Sequence, residues 1–219
     1  MGRWDAVIGL AVLLAAPAFG QTACQSFVAT AGASAVDLAP PAGFVEVCSR
    51  DAALCQKLTS GYPPGVPTLA YFVASGEWAA HRMESSKGFE HYLIAQFARD
   101  MRPAALPDFK VYVRSNNGST PDHTQLPAVL ESQGKASLGI VDETDSSISF
   151  GTLMRVQFSG SQRPPETLAG INTVLVLGGR VFSLYAFGSV QDSTDIGRTE
   201  DLSRRWLSCL HKRAGVSKH

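Results

Sequence analysis

The residues with the most definite chemistry in this 219-residue chain are its four cysteines, Cys24, Cys48, Cys55 and Cys209. A thiol can attack a carbonyl, ligate a metal or pair as a disulfide, and an even number in an exported chain points to pairing. Cys48 and Cys55 flank an expected strand-to-helix corner, where Cα atoms can approach the ~5.5 Å that a bridge needs. Cys24 would then join Cys209, a long closure that restrains the unfolded chain by ~3–5 kcal/mol. Four cysteines allow three connectivities, and this one is preferred. The functional alternative is a nucleophilic cysteine beside a histidine.

His81, Glu84 and His91 are the nearest thing to a ligand set. Imidazole and carboxylate groups can bind zinc, but with Gly88 among them these three do not share one helix face. The sequence contains no HExxH, CxxC or GxSxG motif and no glycine-rich loop placed to cradle phosphate. No metal, cofactor or catalytic residue is therefore assigned. Trp78, next to Glu77 and close to Gly76 at an expected strand end, either caps the core or lines a ligand cleft with Tyr71 and Phe72. The acidic stretch Asp142-Glu143-Thr144-Asp145 lacks the glycine and distant glutamate of a calcium loop, and reads as a hairpin turn.

These groups need a frame, and the apolar pattern supplies one. Phe44 to Val47 alternates as a strand, Ser49 is placed to cap a helix through Leu58, and Asp51 falls in its first turn. The glycine- and proline-rich stretch 61–67 reads as a loop, and Thr68 to Ala74 as a strand. Phe89, Tyr92, Leu93 and Phe97 recur at helical spacing, so a helix is expected from Gly88 to Met101 with Pro103 stopping it. Lys110 to Arg114 reads as a short strand, Asn116 to Ser119 as a turn and Gln125 to Gln133 as a helix.

The second half reads as two hairpins. Ala136 to Val141 and Ile148 to Phe158 flank a polar turn, and Ile171 to Leu177 and Arg180 to Phe187 flank Gly178-Gly179 after a loop at Pro164-Pro165. Two glycines accept the positive φ values of a tight hairpin turn, and apolar residues on both faces place these last strands centrally, under cover. A final helix capped by Thr199 buries Leu202, Trp206 and Leu210, and ends near Lys212, Arg213 and Gly215. The class is α+β: an antiparallel sheet with helices packed on it, and a C-terminal hairpin followed by a terminal helix.

The N-terminus gives an address. Arg3, the apolar run Ala6 to Ala16, and Ala18-Phe19-Gly20 before Gln21 form the pattern of a cleavable secretory signal, too short to span a bilayer. The division expected is 1–20 signal peptide, 21–43 extended leader and 44–215 a single α+β domain. A loose lipobox at Gln21-Thr22-Ala23-Cys24 leaves an acylated Cys24 as the alternative, although Leu normally stands where Gln21 does. Lys and Arg total 19 against 19 Asp and Glu, which argues against nucleic acid as a partner. No second apolar run reaches membrane length, so no transmembrane span is expected in the mature chain.

The stretch Gly170-Ile-Asn-Thr-Val-Leu-Val-Leu-Gly-Gly-Arg-Val-Phe-Ser-Leu-Tyr, followed by the Leu202 to Leu210 helix, resembles exported bacterial proteins, and its element order is similar to PsbP-like α+β domains. That resemblance carries no catalytic residue and implies an accessory or binding module. The resulting expectation is a periplasmic or secreted, non-catalytic domain whose partner is a small ligand or another envelope protein. The alternative is an exported hydrolase using Cys/His or a metal.

Overall fold

The computed structural model describes residues 23–62, 66–85, 88–117, 126–157 and 165–214. The expected signal (1–20), Gln21, Thr22, the middle of the 61–67 loop, Gly118 and Ser119, Gln125, Phe158, Pro164 and Gly215 lie outside them.

The last hairpin forms the middle of the sheet. β8 (Glu166–Leu177) and β9 (Arg180–Ser189) meet at Gly178 and Gly179, whose φ values of +56° and +72° only glycine adopts without strain. β7 (Ser147–Val156) pairs with β8, and β6 (Lys135–Thr144) forms the edge through a turn at Asp145-Ser146. On the other side β9 pairs with β5 (His91–Phe97), then β4 (Thr68–Ala74), then β3 (Phe44–Glu46). All neighbours in this seven-stranded sheet run antiparallel, in the order β3-β4-β5-β9-β8-β7-β6.

Helices cover both faces. On one face α5 (Ser193–Arg213) buries Leu202, Trp206, Leu207 and Leu210 against Phe72, Leu93, Phe182, Leu184 and Ile171. On the other, α3 (Leu106–Asn117) packs Leu106, Phe109 and Val113 over Ile148, Val174 and Val181. Near the β3 edge of that second face, α1 (Ala52–Thr59) and α2 (Ser75–Met83) cover Tyr71, Val73 and Ile94. α4 (Leu126–Gln133) lies beside β6, with Leu126 in the first core. The 23–43 segment is docked on the domain as well. Its β1 (Val28–Ala31) and β2 (Ser34–Asp37) form a two-stranded sheet, Ala31 and Leu38 are fully buried, and Trp206 Nε1–H donates to the Leu38 carbonyl at 3.3 Å.

Several expected elements change. Residues 91–97 form a strand, because Leu93 and Ala95 face α5 while Tyr92 and Ile94 face the opposite side. A strand buried on both faces is apolar at nearly every position, and its residues then match a helical spacing by coincidence. Lys110 to Arg114 is helical, since the stripe that counts is Leu106, Phe109 and Val113 rather than the local alternation. Pro103, expected as a stop, opens a 3-10 turn ahead of α3. The α1 cap is Asp51, which accepts the Leu54 N–H at 2.8 Å, and not Ser49. The α5 cap is Asp192, paired with Asp195 in a capping box, while Thr199 is buried inside the helix.

Candidate functional site

The site is built on the corner between β3 and α1. Glu46, buried at the end of β3, accepts the backbone N–H groups of Cys48 (3.0 Å), Ser49 (2.6 Å) and Tyr71 (3.2 Å). One carboxylate thus satisfies three donors where the chain leaves the sheet, which fixes the corner. The Cys48–Cys55 disulfide then closes the turn, with Cα atoms 4.8 Å apart. Asp51, inside that ring, caps α1.

α2 follows β4 with no intervening loop and is pinned by Glu77 in its first turn. Glu77 Oε2 accepts the N–H of Glu90 at 2.8 Å and of His91 at 3.1 Å, and His91 Nδ1–H donates to Oε1 at 2.8 Å. This contact with Glu77 raises the His91 pKa above its ordinary value against an opposing effect of burial. Helix and strand are therefore clamped at the point where β5 begins.

Between these two fixed helices lies a groove of about 590 Å³, lined by Arg50, Asp51, Trp78, His81, Arg82 and Ser85. That volume falls within the usual range for small-ligand sites. Trp78 is half-buried on the cluster containing Tyr71, Val73 and Ile94, which gives it a fixed base. Its ring runs nearly parallel to that of His81, 24° apart with centroids at 6.4 Å, and Phe89 braces His81 from 5.0 Å. The ion pairs of the described residues belong to His91, Lys110, Arg114, Arg198, Arg204 and Arg213, so neither Arg50 nor Arg82 is held by a carboxylate among them. Both arginines are exposed, and the one acid in the lining, Asp51, is engaged at the helix cap.

Next to the groove, on the same sheet face, runs a ladder of rings. Tyr71 stacks on Tyr92 (5.5 Å, 10°), Tyr92 on Phe187 (4.8 Å, 25°) and Phe187 beside Tyr185 (6.2 Å, 7°). Gly170 makes room for it: a Cβ there would lie 2.8 Å from Phe187 Cε1. Burial raises the pKa of Tyr71, Tyr92 and Tyr185, and pushes that of Tyr62 up to about 12, so the ladder and its neighbour are uncharged. Asn172, cross-strand from Tyr185, has its Oδ1 buried with no hydrogen-bond partner among the described residues. A second groove, of about 570 Å³ beside α3, is lined largely by apolar groups such as Val66, Met101, Phe109 and Tyr112.

The trio expected to share one cleft is divided by the sheet. Tyr71 and Phe72 are neighbours in a strand and so point to opposite faces. Phe72 lies in the core under α5, edge-on to Trp206 at 6.1 Å, while Tyr71 is buried under the α1–α2 end. Trp78 alone reaches the groove. Its neighbours Arg50, His81 and Arg82 come together only through tertiary placement, and the two arginines carry no motif in the sequence.

All four cysteines pair as preferred from the sequence: Cys24 with Cys209 (Cα–Cα 5.5 Å) and Cys48 with Cys55. No thiol is left to act as a nucleophile. The acidic stretch 142–145 belongs to the β6–β7 hairpin, where Glu143 pairs with Arg114 and Lys110. His81, Glu84 and His91 are divided between α2, its C-terminal end and β5. The group that does converge is Glu77, Glu90 and His91, with ligand atoms within 4.8 Å of one another. Glu77 already accepts protein N–H groups on both oxygens, so a cation there would compete with the contacts that fix α2 to β5. Sequence reasoning missed this clamp because Glu77 and His91 are 14 residues apart and meet only when the chain after α2 turns back into β5.

No protein-family model and no curated protein matches the chain. Among solved structures it is similar to the Ran-binding protein Mog1p of Saccharomyces cerevisiae, with 10% sequence identity and a TM-score of 0.43 over 88% of this chain and 94% of that chain.

Proposed function

We propose that this chain is an exported accessory domain of a bacterial envelope, periplasmic or secreted, which binds a small ligand without transforming it and seats that ligand in the α1–α2 groove. The observation that carries the reading is the groove itself: a half-buried Trp78 on a rigid base, beside two arginines that no carboxylate of the described residues engages. A rigid aromatic platform and a few convergent polar groups are what small-ligand sites require.

Export rests on the secretory pattern of residues 1–20 and on the oxidised cysteines, since disulfides persist in oxidising compartments. No helix among the described residues is long and apolar enough to cross a membrane. Cys24 commits its sulfur to Cys209, which leaves no thiol there for acylation and favours plain secretion over a lipid anchor. The accessory role agrees with what the PsbP-like resemblance implies. Against the hydrolase alternative stands the absence of any free thiol for a Cys/His pair.

The test is a solution screen of the oxidised mature chain by amide and indole chemical-shift mapping, using small sugars, aromatic amines and aromatic acids. The expected result is shifts concentrated at Arg50, Asp51, Trp78, His81 and Arg82, with every probe recovered unchanged. Shifts confined to the tyrosine ladder would move the seat elsewhere. Hydrolysis of ester or glycoside probes by the purified chain would overturn the non-catalytic reading.

A further inference from the structure

Given that the α1–α2 groove is the ligand seat, we infer that it selects a small ring-bearing anion, a carboxylate or phosphate carried on an aromatic or sugar ring. The inference rests on how the lining divides. Arg50 comes from the disulfide-closed turn before α1 and Arg82 from the last turn of α2, so two separate elements each bring a guanidinium to the groove lining. Guanidinium is the side chain best matched to carboxylate and phosphate, because its planar fork donates two parallel N–H bonds. Neither fork is spent on an internal ion pair among the described residues. Asp51 lies beside them but accepts the Leu54 N–H, and its substitution would weaken α1 rather than free a cation.

The other half of the lining is a ring platform. Trp78 has the largest π surface of any side chain, and it is seated on Tyr71, Val73 and Ile94 beneath and next to His81. Such a surface takes the flat face of an aromatic ring or the C–H face of a sugar. Two cations and one ring in the same lining select a ligand that has both an anion and a ring. Inorganic phosphate alone would forgo the platform, and a neutral ring would forgo the arginines.

The seat also depends on the Cys48–Cys55 ring, since Arg50 lies within the loop that this disulfide closes. Releasing the ring lets Arg50 sample more of the turn's conformations. Affinity for the anion should therefore fall on selective loss of this bridge, even while Trp78 stays in place.

Calorimetric titration of the oxidised mature chain at low salt tests this with phenyl phosphate, benzoate, inorganic phosphate, phenyl glucoside and phenol. Phenyl phosphate or benzoate is expected to bind at least tenfold tighter than either inorganic phosphate or phenol. Arg50→Gln/Arg82→Gln should weaken the ring anions tenfold or more and leave phenol unchanged, the loss expected when charge-assisted bonds are removed. Arg50→Lys/Arg82→Lys keeps the charge without the fork and should retain only part of the affinity. Trp78→Leu should weaken ring anions and phenol together, and Trp78→Phe guards against a loss that merely reflects a loosened α2. If phenyl glucoside binds in a Trp78-dependent way while the anions do not, the anion inference falls and the groove reading stands. If none of the five probes responds to substitution at Arg50, Trp78 or Arg82, both fall.

Discussion

Removing the Cys24–Cys209 bridge should cost far more stability than removing Cys48–Cys55, although both lie on the same domain. The sequence separations are 185 and 7 residues. Treating each disulfide as a restraint on the unfolded chain, the long closure is worth about 5 kcal/mol and the short one roughly 2.5 kcal/mol at room temperature. The folded state should change little in either case. The 23–43 segment stays docked through Leu38, Ala31 and the bond from Trp206, and the β3–α1 corner keeps its three hydrogen bonds to Glu46. Paired substitutions are needed, because one cysteine removed alone leaves a reactive thiol. The assay is equilibrium urea unfolding of Cys24→Ala/Cys209→Ala and Cys48→Ala/Cys55→Ala, followed by tryptophan fluorescence. With a slope of about 2 kcal/mol per molar urea, the long-bridge variant should lose about 2.5 M in midpoint and the short-bridge variant about half that. A single domain carries only about 5–15 kcal/mol in total, so the first variant will be marginal and the second comfortably folded. A short-bridge variant that loses as much as the long-bridge one would refute the reasoning. It would mean that the corner is held chiefly by its covalent bond.

Three further outcomes follow from the packing and the titrating groups. Gly188→Ala should destabilise the fold by about 1–3 kcal/mol, because the new Cβ would clash with Thr199 Oγ1, and adding Thr199→Ala should restore most of the loss. Thermal unfolding reads both variants, and a Gly188→Ala variant as stable as the parent would show that α5 sits less closely on β9. The His91 pKa is raised in the folded state, so its contact with Glu77 stabilises fully below the unfolded histidine value of ~6.5 and is lost as pH rises through the folded one. The difference in melting temperature between the parent and His91→Gln should accordingly shrink from pH 5.5 to pH 8.5, and a constant difference would contradict the clamp. Tyr62, Tyr71, Tyr92 and Tyr185 all have raised pKa values, Tyr62 up to about 12, so four of the chain's five phenols should stay protonated past pH 10. Their contribution to stability is complete below ~10 and falls as pH climbs above it, and full phenolate absorbance by pH 10.5 without unfolding would contradict their burial.

The parts of the fold legible in the sequence were those where one local rule had no competitor. Gly178-Gly179 between two apolar runs admits little but a tight hairpin, and the stripe of Leu202, Trp206 and Leu210 admits little but a helix on the sheet. Thr68 to Ala74 is a strand over the expected bounds. Where cover on both faces erased the period, as at Tyr92 to Phe97, spacing misled, and only the neighbours β4 and β9 decide the outcome. Helix starts slipped for a related reason. Ser49 and Thr199 have the chemistry of a cap, but Asp51 and Asp192 are the residues whose backbone stands outside the helix.

The site divides in the same way. The preferred cysteine pairing rested on Cys48 and Cys55 flanking one expected corner, with the long Cys24–Cys209 closure following from it, and Trp78 was marked by its size at a strand end. The expected grouping of Trp78 with Phe72 fails, because strand alternation alone puts Phe72 on the opposite face from Tyr71. Arg50 and Arg82 had no signal at all. A guanidinium without a carboxylate is a property of three-dimensional placement, and two arginines among many in a chain of balanced charge are indistinguishable from solvated surface.

Export and covalent bracing are the premises of the proposed ligand seat, since the turn closed by Cys48–Cys55 carries Arg50 and Asp51 into the groove lining. The most direct test is the intact mass of the chain expressed with its own N-terminus in a Gram-negative bacterium, taken without reduction after exposure to a thiol alkylator. The predicted mass is that of a chain beginning at Gln21, less four hydrogens, with no alkyl adduct. A chain retaining residues 1–20, an alkylated cysteine, or a diacylglyceryl adduct on Cys24 would contradict it.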